Sequence, residues 1–332
     1  MDRVEIPGLV STIIPVRNRP RMIVSAIESV LSQTYDATEV IVSDDGSSDD
    51  TVAVAEGMAS ANPGRITVIR GPQRGAGGAR EAGRLAARGE FIQYLDSDDL
   101  LLPRKFDLQV KALRARPECG AAYGYIRHVD ADGKVMSEPF KDSGVVRETL
   151  FPTLLMSRWW NTDCPLFRRS VTDAVGPWSN LRYSQDWEYD ARVGALGTRL
   201  AHCPDWVCVQ HSHAEARQTG HGGWLSPKDR IVFLRSLYRS SLLAGMTSQS
   251  SQMRSFARWV FYHARYAASA GDEASSKELL GLAREIAGRS TVDMLAFSAL
   301  ARLAGWSRAA RWAESIRGRI FGGGQASGGR GQ

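Results

Sequence analysis

Short apolar runs alternate with stretches of helical periodicity over the first third of the chain. The runs are rich in β-branched residues and too short for helices, as buried strands are. They comprise Leu9–Ile14, Val40–Val42, Ile66–Ile69, Phe91–Leu95 and Ala121–Ile126. Between them, apolar residues recur at three- and four-residue spacing, which predicts amphipathic helices. Because this alternation is typical of βαβ units, we predict an α/β fold: a mostly parallel, Rossmann-like sheet flanked by helices.

The pattern changes twice after Tyr125. Asp130–Gly133 is a turn signal between two short apolar segments, which predicts a hairpin. From about residue 225 the spacing becomes helical, and we expect a C-terminal helical region over 225–321, including a helical hairpin around Gly271. Residues 322–332 are rich in Gly, Ser and Gln and are predicted to be disordered.

Composition narrows the class of protein. The 332 residues carry a net charge of +6, of which +5 lies in 301–332, with six arginines against one acid. The rest of the chain is nearly neutral, so we expect no nucleic-acid partner. The four cysteines form no CxxC pair, no apolar run approaches the ~18–20 residues of a membrane-spanning helix, and no signal peptide is recognisable. We expect a cytoplasmic protein with reduced thiols.

The basic tail has the pattern of an amphipathic helix. Its apolar positions keep to one side, and its arginines lie mostly opposite. The apolar positions are Leu303, Trp306, Ala310, Ala313, Ile316 and Ile320. Two interpretations stay open: a helix lying peripherally on the inner face of a membrane, and a terminal helix packed on the core with a solvated basic face.

Two acidic clusters each follow a predicted strand. Asp44-Asp45 follows the second strand, and Asp96-Ser97-Asp98-Asp99 follows the fourth. Ligands of parallel sheets bind beyond the carboxyl ends of the strands, so the two clusters are expected at one edge. Crowded carboxylates repel one another unless a cation neutralises them, and oxygen ligands suit Mg²⁺ or Mn²⁺. For either cluster alone, a turn that opens a helix stays an alternative.

Several segments follow the pattern of a known family in the correct order. They are Ser11–Arg19, Ser29–Tyr35, Glu39–Thr51, Gly75–Arg80, Gly89–Asp99, Pro103, Leu166–Ser170, Val175-Gly176 and Ser184–Tyr189. Together they resemble family 2 inverting glycosyltransferases, which use nucleotide sugars and have the glycosyltransferase A fold. The resemblance implies a nucleotide-sugar-binding half over 1–125 and an acceptor-binding half over 126–224.

The resemblance also implies roles on the donor side. Asp44 would accept the base N–H of a nucleotide, typically uracil, and Asp45 would support its loop. Pro15 and Arg17 would line the nucleoside pocket, and Arg80 would approach the diphosphate or the ribose.

Asp96 and Asp98 match the family's Asp-x-Asp motif. Asp96 is therefore expected near both donor and metal, and Asp98 as the main ligand of a divalent cation, Mn²⁺ or Mg²⁺. His211 is a further candidate metal ligand. Asp186 matches the base that takes a proton from the acceptor hydroxyl.

Trp159, Trp160 and Asp163 precede a short predicted strand and are expected to face the acceptor. The implied function is metal-dependent, inverting transfer of a sugar from a UDP-sugar to a hydroxyl of a glycan or lipid-linked acceptor, as in the assembly of bacterial-type surface polysaccharides or glycoconjugates. Gln185 and Glu81 depart from the family pattern, where an acid and an asparagine are usual.

Three other function classes compete with this one. A phosphatase-type hydrolase would need its acids after the first strand, followed by Thr or Val, whereas Leu100 follows here after the fourth. A Rossmann oxidoreductase would need Gly at position 80, where the chain has Arg80. A non-catalytic module that binds sugar nucleotides stays the main alternative.

Overall fold

The computed structural model describes residues 5–212 and 226–311, which fall into two compact units. The first unit comprises residues up to 225 together with 239–245, and the second comprises 226–238 and the residues from 246 onward. The predicted disordered segment, 322–332, lies outside the described residues.

One eight-stranded sheet forms the centre of the first unit. Its strands are β1 (Ile6–Val16), β2 (Thr38–Asp44), β3 (Ile66–Arg70), β4 (Gly89–Tyr94), β5 (Leu100–Leu101), β6 (Cys119–Val129), β7 (Leu166–Arg168) and β8 (Arg199–His211). They lie in the order β3-β2-β1-β4-β7-β6-β8-β5. The strands from β3 to β4 are parallel, whereas β7 is antiparallel to both of its neighbours. β8 is parallel to β6 and antiparallel to β5.

Helices alternate with the strands as the periodicity predicts, and this confirms the α/β fold. They are α1 (Met22–Leu31), α2 (Thr51–Ala61), α3 (Gly75–Ala86), α4 (Lys105–Ala115), α5 (Arg169–Val175) and α6 (Gln185–Ala195). The apolar spacing of α1 buries Ile23, Ile27 and Val30. α3 lies very close to β1, because a Cβ built on Gly83 would be 2.3 Å from Ile13 Cγ2.

The parallel strands bring the two acidic loops to one edge of the sheet. Val16, the last residue of β1, is in register with Asp44, the last residue of β2. The N–H of Asp45 donates to the Val16 carbonyl at 2.9 Å. On the other side of β1, the N–H of Leu95 donates to the Ile13 carbonyl at 3.0 Å. Both loops therefore leave the sheet beside the end of β1.

A hairpin and two short turns connect the halves of the sheet. Val129 forms the predicted antiparallel bridge, with Val135. Two 3-10 turns follow, at Phe140–Asp142 and Thr153–Leu155, before the chain enters β7.

Helices make up the second unit. The helices after β8 are α7 (Pro227–Leu243), which begins in this unit, then α8 (Ser251–Ser269), α9 (Glu273–Ala287) and α10 (Val292–Ala304). The predicted hairpin of α8 and α9 is present, with Gly271 at φ +83° in the turn. Each of its helices has a side-chain cap: Ser250 accepts from the N–H of Met253, and Asp272 accepts from the N–H of Ser275.

The described part of the tail is not the continuous helix that the spacing predicts. α10 ends before Gly305, whose φ of +87° interrupts the helix, and a separate helical turn follows at 306–311. Leu303, at the end of α10, is 86% exposed. The predicted face through Leu303 and the residues after Gly305 is therefore wrong.

Apolar residues after this break pack within the helical unit. The rings of Trp306 and Phe297 lie edge to face with centroids 5.7 Å apart, and Ala310 is fully buried. Up to residue 311, the interpretation as a packed terminal helix therefore fits better than a helix with its apolar side on a membrane. Ala313, Ile316 and Ile320 lie outside the described residues. Among the described helices, none has the length and apolar character needed to cross a membrane.

Candidate active site

A cavity of about 290 Å³ opens at the edge of the sheet where the acidic loops meet. It collects most of the predicted site residues: Pro15, Arg17, Asp45, Arg80, Asp96, Asp98 and Asp186. It is also lined by cations that the sequence analysis did not single out: Arg19, Lys141, Arg158 and Arg182. Acids and bases from both predicted halves of the α/β region thus share one cavity.

Asp44 and Asp45 lie in different surroundings. The Asp44 carboxylate accepts the N–H groups of Gly46 and Ser47, both at 3.1 Å, and so holds its own loop. Asp45 lines the cavity, and its buried Oδ1 has no hydrogen-bond partner among the described residues. Burial raises the pKa of Asp45, although the N–H of Gly75 opposes this shift. The Asp44 carboxylate is thus engaged by its loop and does not line the cavity, and its expected contact with the base stays a prediction.

Arginines pair with both acids of the Asp-x-Asp motif. Arg80 Nη2 lies 2.5 Å from Asp96 Oδ1, and Arg19 Nη1 lies 2.8 Å from Asp98 Oδ1. Arg80 is 4% exposed, and its guanidinium lies over the ring of Trp178 at 4.8 Å from the centroid. Its Nε and Nη1 have no hydrogen-bond partner in the described chain. A buried N–H without a partner costs free energy, and the Arg80 residue lines the cavity.

Asp186 lies in the first turn of α6. Its Oδ2 is 2.8 Å from Arg158 Nη1, and its Oδ1 accepts the N–H of Trp187 at 2.8 Å. Burial alone would raise the pKa of Asp186, but the guanidiniums of Arg158 and Arg80 outweigh burial and keep the pKa below its ordinary value. The side chain is 30% exposed, so an ionised carboxylate faces the cavity.

Comparison with known proteins agrees with this arrangement. The family model described as glycosyl transferase family 2 matches residues 11–170, which hold both acidic loops. Chondroitin synthase of Escherichia coli is 32% identical over 174 residues, which are 50% of this chain. Residues 11–170 therefore form a glycosyl transferase family 2 domain. The chain spans only 25% of the length of that chondroitin synthase.

Solved structures share the fold of this chain. Residues 1–349 of TarS from S. aureus, in complex with UDP-GlcNAc, superpose with a TM-score of 0.70 at 18% identity, over 93% of this chain and 91% of that one. The mannosyltransferase PcManGT of Pyrobaculum calidifontis, in complex with GDP-Man and Mn²⁺, gives a TM-score of 0.52 at 18% identity, over 95% and 88%. At such identity the likeness establishes the fold alone.

A cluster of three carboxylates includes one acid of the Asp-x-Asp motif. Oxygens of Asp96, Asp99 and Asp163 lie within 4.8 Å of one another, and Asp163 Oδ1 accepts the N–H of Asp96 at 2.7 Å. Burial and the charge of Asp96 raise the pKa of Asp163 to about 7. Burial and the charge of Asp163 raise the pKa of Asp99 as well. Such a group favours either a shared proton or a cation.

The residues expected to face the acceptor do not line the cavity. Trp159 and Trp160 are 1% and 0% exposed and pack around Tyr123, with ring centroids 4.9 and 5.8 Å away. Asp163 is fully buried, and its carboxylate is part of the acidic cluster and accepts the N–H of Asp96. These predictions are wrong, because the segment passes through the core before it enters β7.

His211 ends β8 beside the same acids. Its backbone N–H donates to Asp99 Oδ1 at 2.8 Å. This contact with the Asp99 carboxylate comes from the main chain. A ligand role for the His211 imidazole stays a prediction.

The sequence analysis missed two groups of functional candidates. Asp99 was named within its cluster but was given no role. It differs from Asp96 and Asp98 in being buried. Arg158 is buried between carboxylates of α6 and lines the cavity. No spacing marks it, because its partners lie about one strand and one helix further along the chain.

Proposed function

We propose that this chain transfers a sugar from a UDP-sugar to a hydroxyl of a glycan or lipid-linked acceptor, with inversion at the anomeric carbon. The observation that carries this proposal is the single cavity that Asp45, Asp96, Asp98 and Asp186 line together. The glycosyl transferase family 2 domain supports the reaction class. The UDP-GlcNAc bound to TarS, a protein of the same fold, supports a uridine nucleotide.

Donor recognition is assigned to the β1 and β2 ends and to α3. The free Oδ1 of Asp45 is suited to accept the base N–H. Pro15 and Arg17 line the cavity beside it. The two unused nitrogens of Arg80 are suited to donate to diphosphate oxygens, because a hydrogen bond to a charged group is worth about 1.5–3 kcal/mol.

The acidic cluster fits a divalent cation. Three carboxylates with oxygens within 4.8 Å form a hard donor set. Burial, and after it the charges of neighbouring carboxylates, raise the pKa values of Asp99 and Asp163. We propose Asp96 and Asp98 as the ligands at the cavity, with Asp99 behind them. Mg²⁺ or Mn²⁺ held there supplies charge that stabilises the departing nucleoside diphosphate. The Mn²⁺ in PcManGT supports this choice of ion.

Asp186 is assigned as the general base. Its lowered pKa keeps it ionised at neutral pH, and its exposed part faces the cavity. An acceptor hydroxyl that attacks the anomeric carbon opposite to the diphosphate loses its proton as the new bond forms. A carboxylate within hydrogen-bond reach accepts that proton and contributes about 10²–10⁴-fold to the rate.

The first experiment identifies the donor and separates binding from transfer. UDP-sugars and GDP-mannose are screened by thermal shift with Mn²⁺, and release of the nucleoside diphosphate is then measured with glycan and lipid-linked acceptors. Asp98→Asn should weaken Mn²⁺-dependent UDP binding. Asp186→Asn should leave UDP binding intact and lower transfer at least 100-fold.

Three results would contradict parts of the proposal. Undiminished transfer by the Asp186 variant would remove the general base. If the wild type binds a UDP-sugar tightly but transfers it to none of the acceptors, the result would favour the non-catalytic module instead. Chelation by EDTA that leaves UDP binding and transfer unchanged would contradict the cation.

We also propose that any attraction to a membrane is electrostatic. Residues 301–332 carry a net charge of +5, whereas Trp306 and Ala310 pack within the helical unit. Co-sedimentation with anionic vesicles should therefore occur at low salt and disappear at high salt. Binding to neutral vesicles that persists at high salt would contradict this proposal.

A further inference from the structure

Arg158 joins two carboxylates that lie one helical turn apart. Asp186 and Asp190 are four residues apart on α6, where like charges repel. The Arg158 guanidinium lies between them, with Nη1 2.8 Å from Asp186 Oδ2 and Nε 2.7 Å from Asp190 Oδ2. Its Nη2 donates to Thr162 Oγ1 at 3.4 Å. Every nitrogen of this guanidinium therefore has a partner.

The two carboxylates differ in what they face. The Asp190 side chain is 3% exposed, and its Oδ2 also accepts the Nε1–H of Trp160 at 2.8 Å. Burial raises the pKa of Asp190 despite the opposing charge of Arg158. Asp186, by contrast, is 30% exposed and lines the cavity. One carboxylate is thus inside the protein, and the other is available to a substrate.

Stability alone gives a weak reason for this arrangement. The Arg158 side chain is 9% exposed, and the cost of desolvating buried ions often cancels their attraction, so well-packed apolar residues would serve as well. The planar fork of arginine instead fixes its partners in one orientation. The arrangement therefore points to control of the position and charge of Asp186.

We propose that Arg158 is the positioning residue of the base: it holds the Asp186 carboxylate in one orientation at the cavity, while Asp190 shares its charge. This inference rests on the proposed function of Asp186. Because the guanidinium serves two carboxylates, Asp186 is oriented without being neutralised by a full positive charge. It therefore keeps the ability to accept a proton.

Substitution of the two partners of Asp186 should have opposite electrostatic effects. The charged groups that act on Asp186 are Arg158, Arg80, Lys141 and the neighbouring Asp190. Loss of Arg158 leaves burial less opposed, so the pKa of Asp186 should rise. Loss of the Asp190 charge leaves Arg158 to Asp186 alone, so its pKa should fall. These shifts report the charge coupling between Arg158, Asp186 and Asp190, and the effect on kcat separates positioning from a purely structural role.

The experiment compares Arg158→Gln, Arg158→Lys and Asp190→Asn in the full chain. Asparagine keeps an oxygen that can accept from Arg158 and Trp160, so Asp190→Asn changes charge more than shape. The Asp186 carboxyl is titrated by ¹³C NMR of aspartate-labelled protein and assigned by loss of its signal in Asp186→Asn. Transfer is measured in parallel as a function of pH, with the donor identified by the screen.

Arg192→Gln is the matched control. Arg192 pairs with Glu188 on the same helix, at 2.9 Å and also four residues apart, but does not line the cavity. The Arg192→Gln substitution should lower thermal stability without changing the pKa of Asp186. Arg158→Gln should lower kcat about 100-fold with donor KM unchanged, and Arg158→Lys should restore part of the loss.

The outcomes distinguish failure of the inference about Arg158 from failure of the proposed function. Opposite pKa shifts together with the selective loss of kcat support positioning by Arg158. Equal or absent pKa shifts, or kcat losses that follow thermal stability and are matched by Arg192→Gln, would overturn it. If the wild type transfers no sugar, the proposed function fails, and the NMR titration still decides whether Arg158 and Asp190 oppose each other at Asp186.

Discussion

Neighbouring aspartates at the end of β2 serve different purposes because the backbone turns between them. Asp44 lies in the strand and accepts two N–H groups of the next turn, whereas Asp45 is directed to the cavity. Both acids follow the same strand in the sequence, so the motif predicts the acidic edge but cannot decide which carboxylate is free. That decision depends on the loop hydrogen bonds.

A pair of isosteric substitutions tests this division. Asp45→Asn should weaken UDP binding about 10-fold or more, because a charge-assisted hydrogen bond to the base is lost. Asp44→Asn should lower the free energy of unfolding by about 1 kcal/mol and change UDP affinity little. Calorimetric titration with UDP and thermal unfolding of both variants give the two quantities. The reverse pattern would favour Asp44 as the base contact.

Asp163 predicts a dependence of stability on pH. Its pKa of about 7 in the folded protein lies above the ordinary value of 3.8 for an aspartate, so the folded state binds more protons between these values. The stabilisation is complete below the lower value and is lost as the pH rises through about 7. With EDTA present, the Tm should therefore fall over this range, and Asp163→Asn should flatten the curve.

Mn²⁺ provides the complementary measurement. A cation replaces the shared proton, so it should raise the Tm of the wild type more at pH 8 than at pH 5. Parallel curves for the wild type and Asp163→Asn, with and without Mn²⁺, would argue against the cluster as a proton or cation site.

At the scale of elements, the absence of large side chains on one side of α3 determines how close this helix lies to the sheet. A run of small residues allows it to lie against β1, and Gly83 meets Ile13 directly. This contact supports the sheet edge where Pro15 and Arg80 line the cavity. Local spacing predicts such elements well, because β1 to β4, α1 and the α8–α9 hairpin each carry their pattern within a few residues.

Two glycine substitutions on neighbouring helices should have opposite signs. Gly83→Ala places a Cβ 2.3 Å from Ile13 Cγ2, so it should destabilise the protein by about 1–3 kcal/mol. On α2, a Cβ at Gly57 meets nothing within 4 Å, so Gly57→Ala should stabilise it by about 0.5–1 kcal/mol. Urea unfolding of both variants measures the difference. Equal effects would contradict the close packing of α3.

Local spacing did not predict the elements that depend on contacts between residues far apart in the sequence. The strand expected over 166–170 ends at Arg168, and α5 begins at Arg169. Its segment passes through the core, which is why Trp159 and Trp160 were misassigned. Their apolar character fits a core as well as a sugar-binding surface, and only the packing around Tyr123 distinguishes the two.

At the scale of the whole molecule, the cavity belongs entirely to the first unit. All of its lining residues lie between positions 15 and 210, whereas the second unit is helical. No feature of the sequence assigns a task to these helices, because their spacing reports packing and not chemistry.

A truncated chain that ends at Gly245 tests this separation. It keeps every cavity-lining residue and the last segment of the first unit, 239–245. We expect it to fold and to bind UDP with unchanged affinity in calorimetric titration. A folded truncated chain that fails to bind UDP would show that the helical unit contributes to the donor site.

The place of β7 in the sheet has a consequence for biosynthesis. β4 pairs with β1 on one side and with β7 on the other, yet β7 is translated only after β5, α4 and β6. Until then the growing chain exposes the backbone of β4 as an open edge, and such edges pair readily with other chains. The region 1–125 therefore cannot be cut out as a portable donor-binding module without leaving an aggregation-prone border, and a successful minimal fragment has to extend past Arg168.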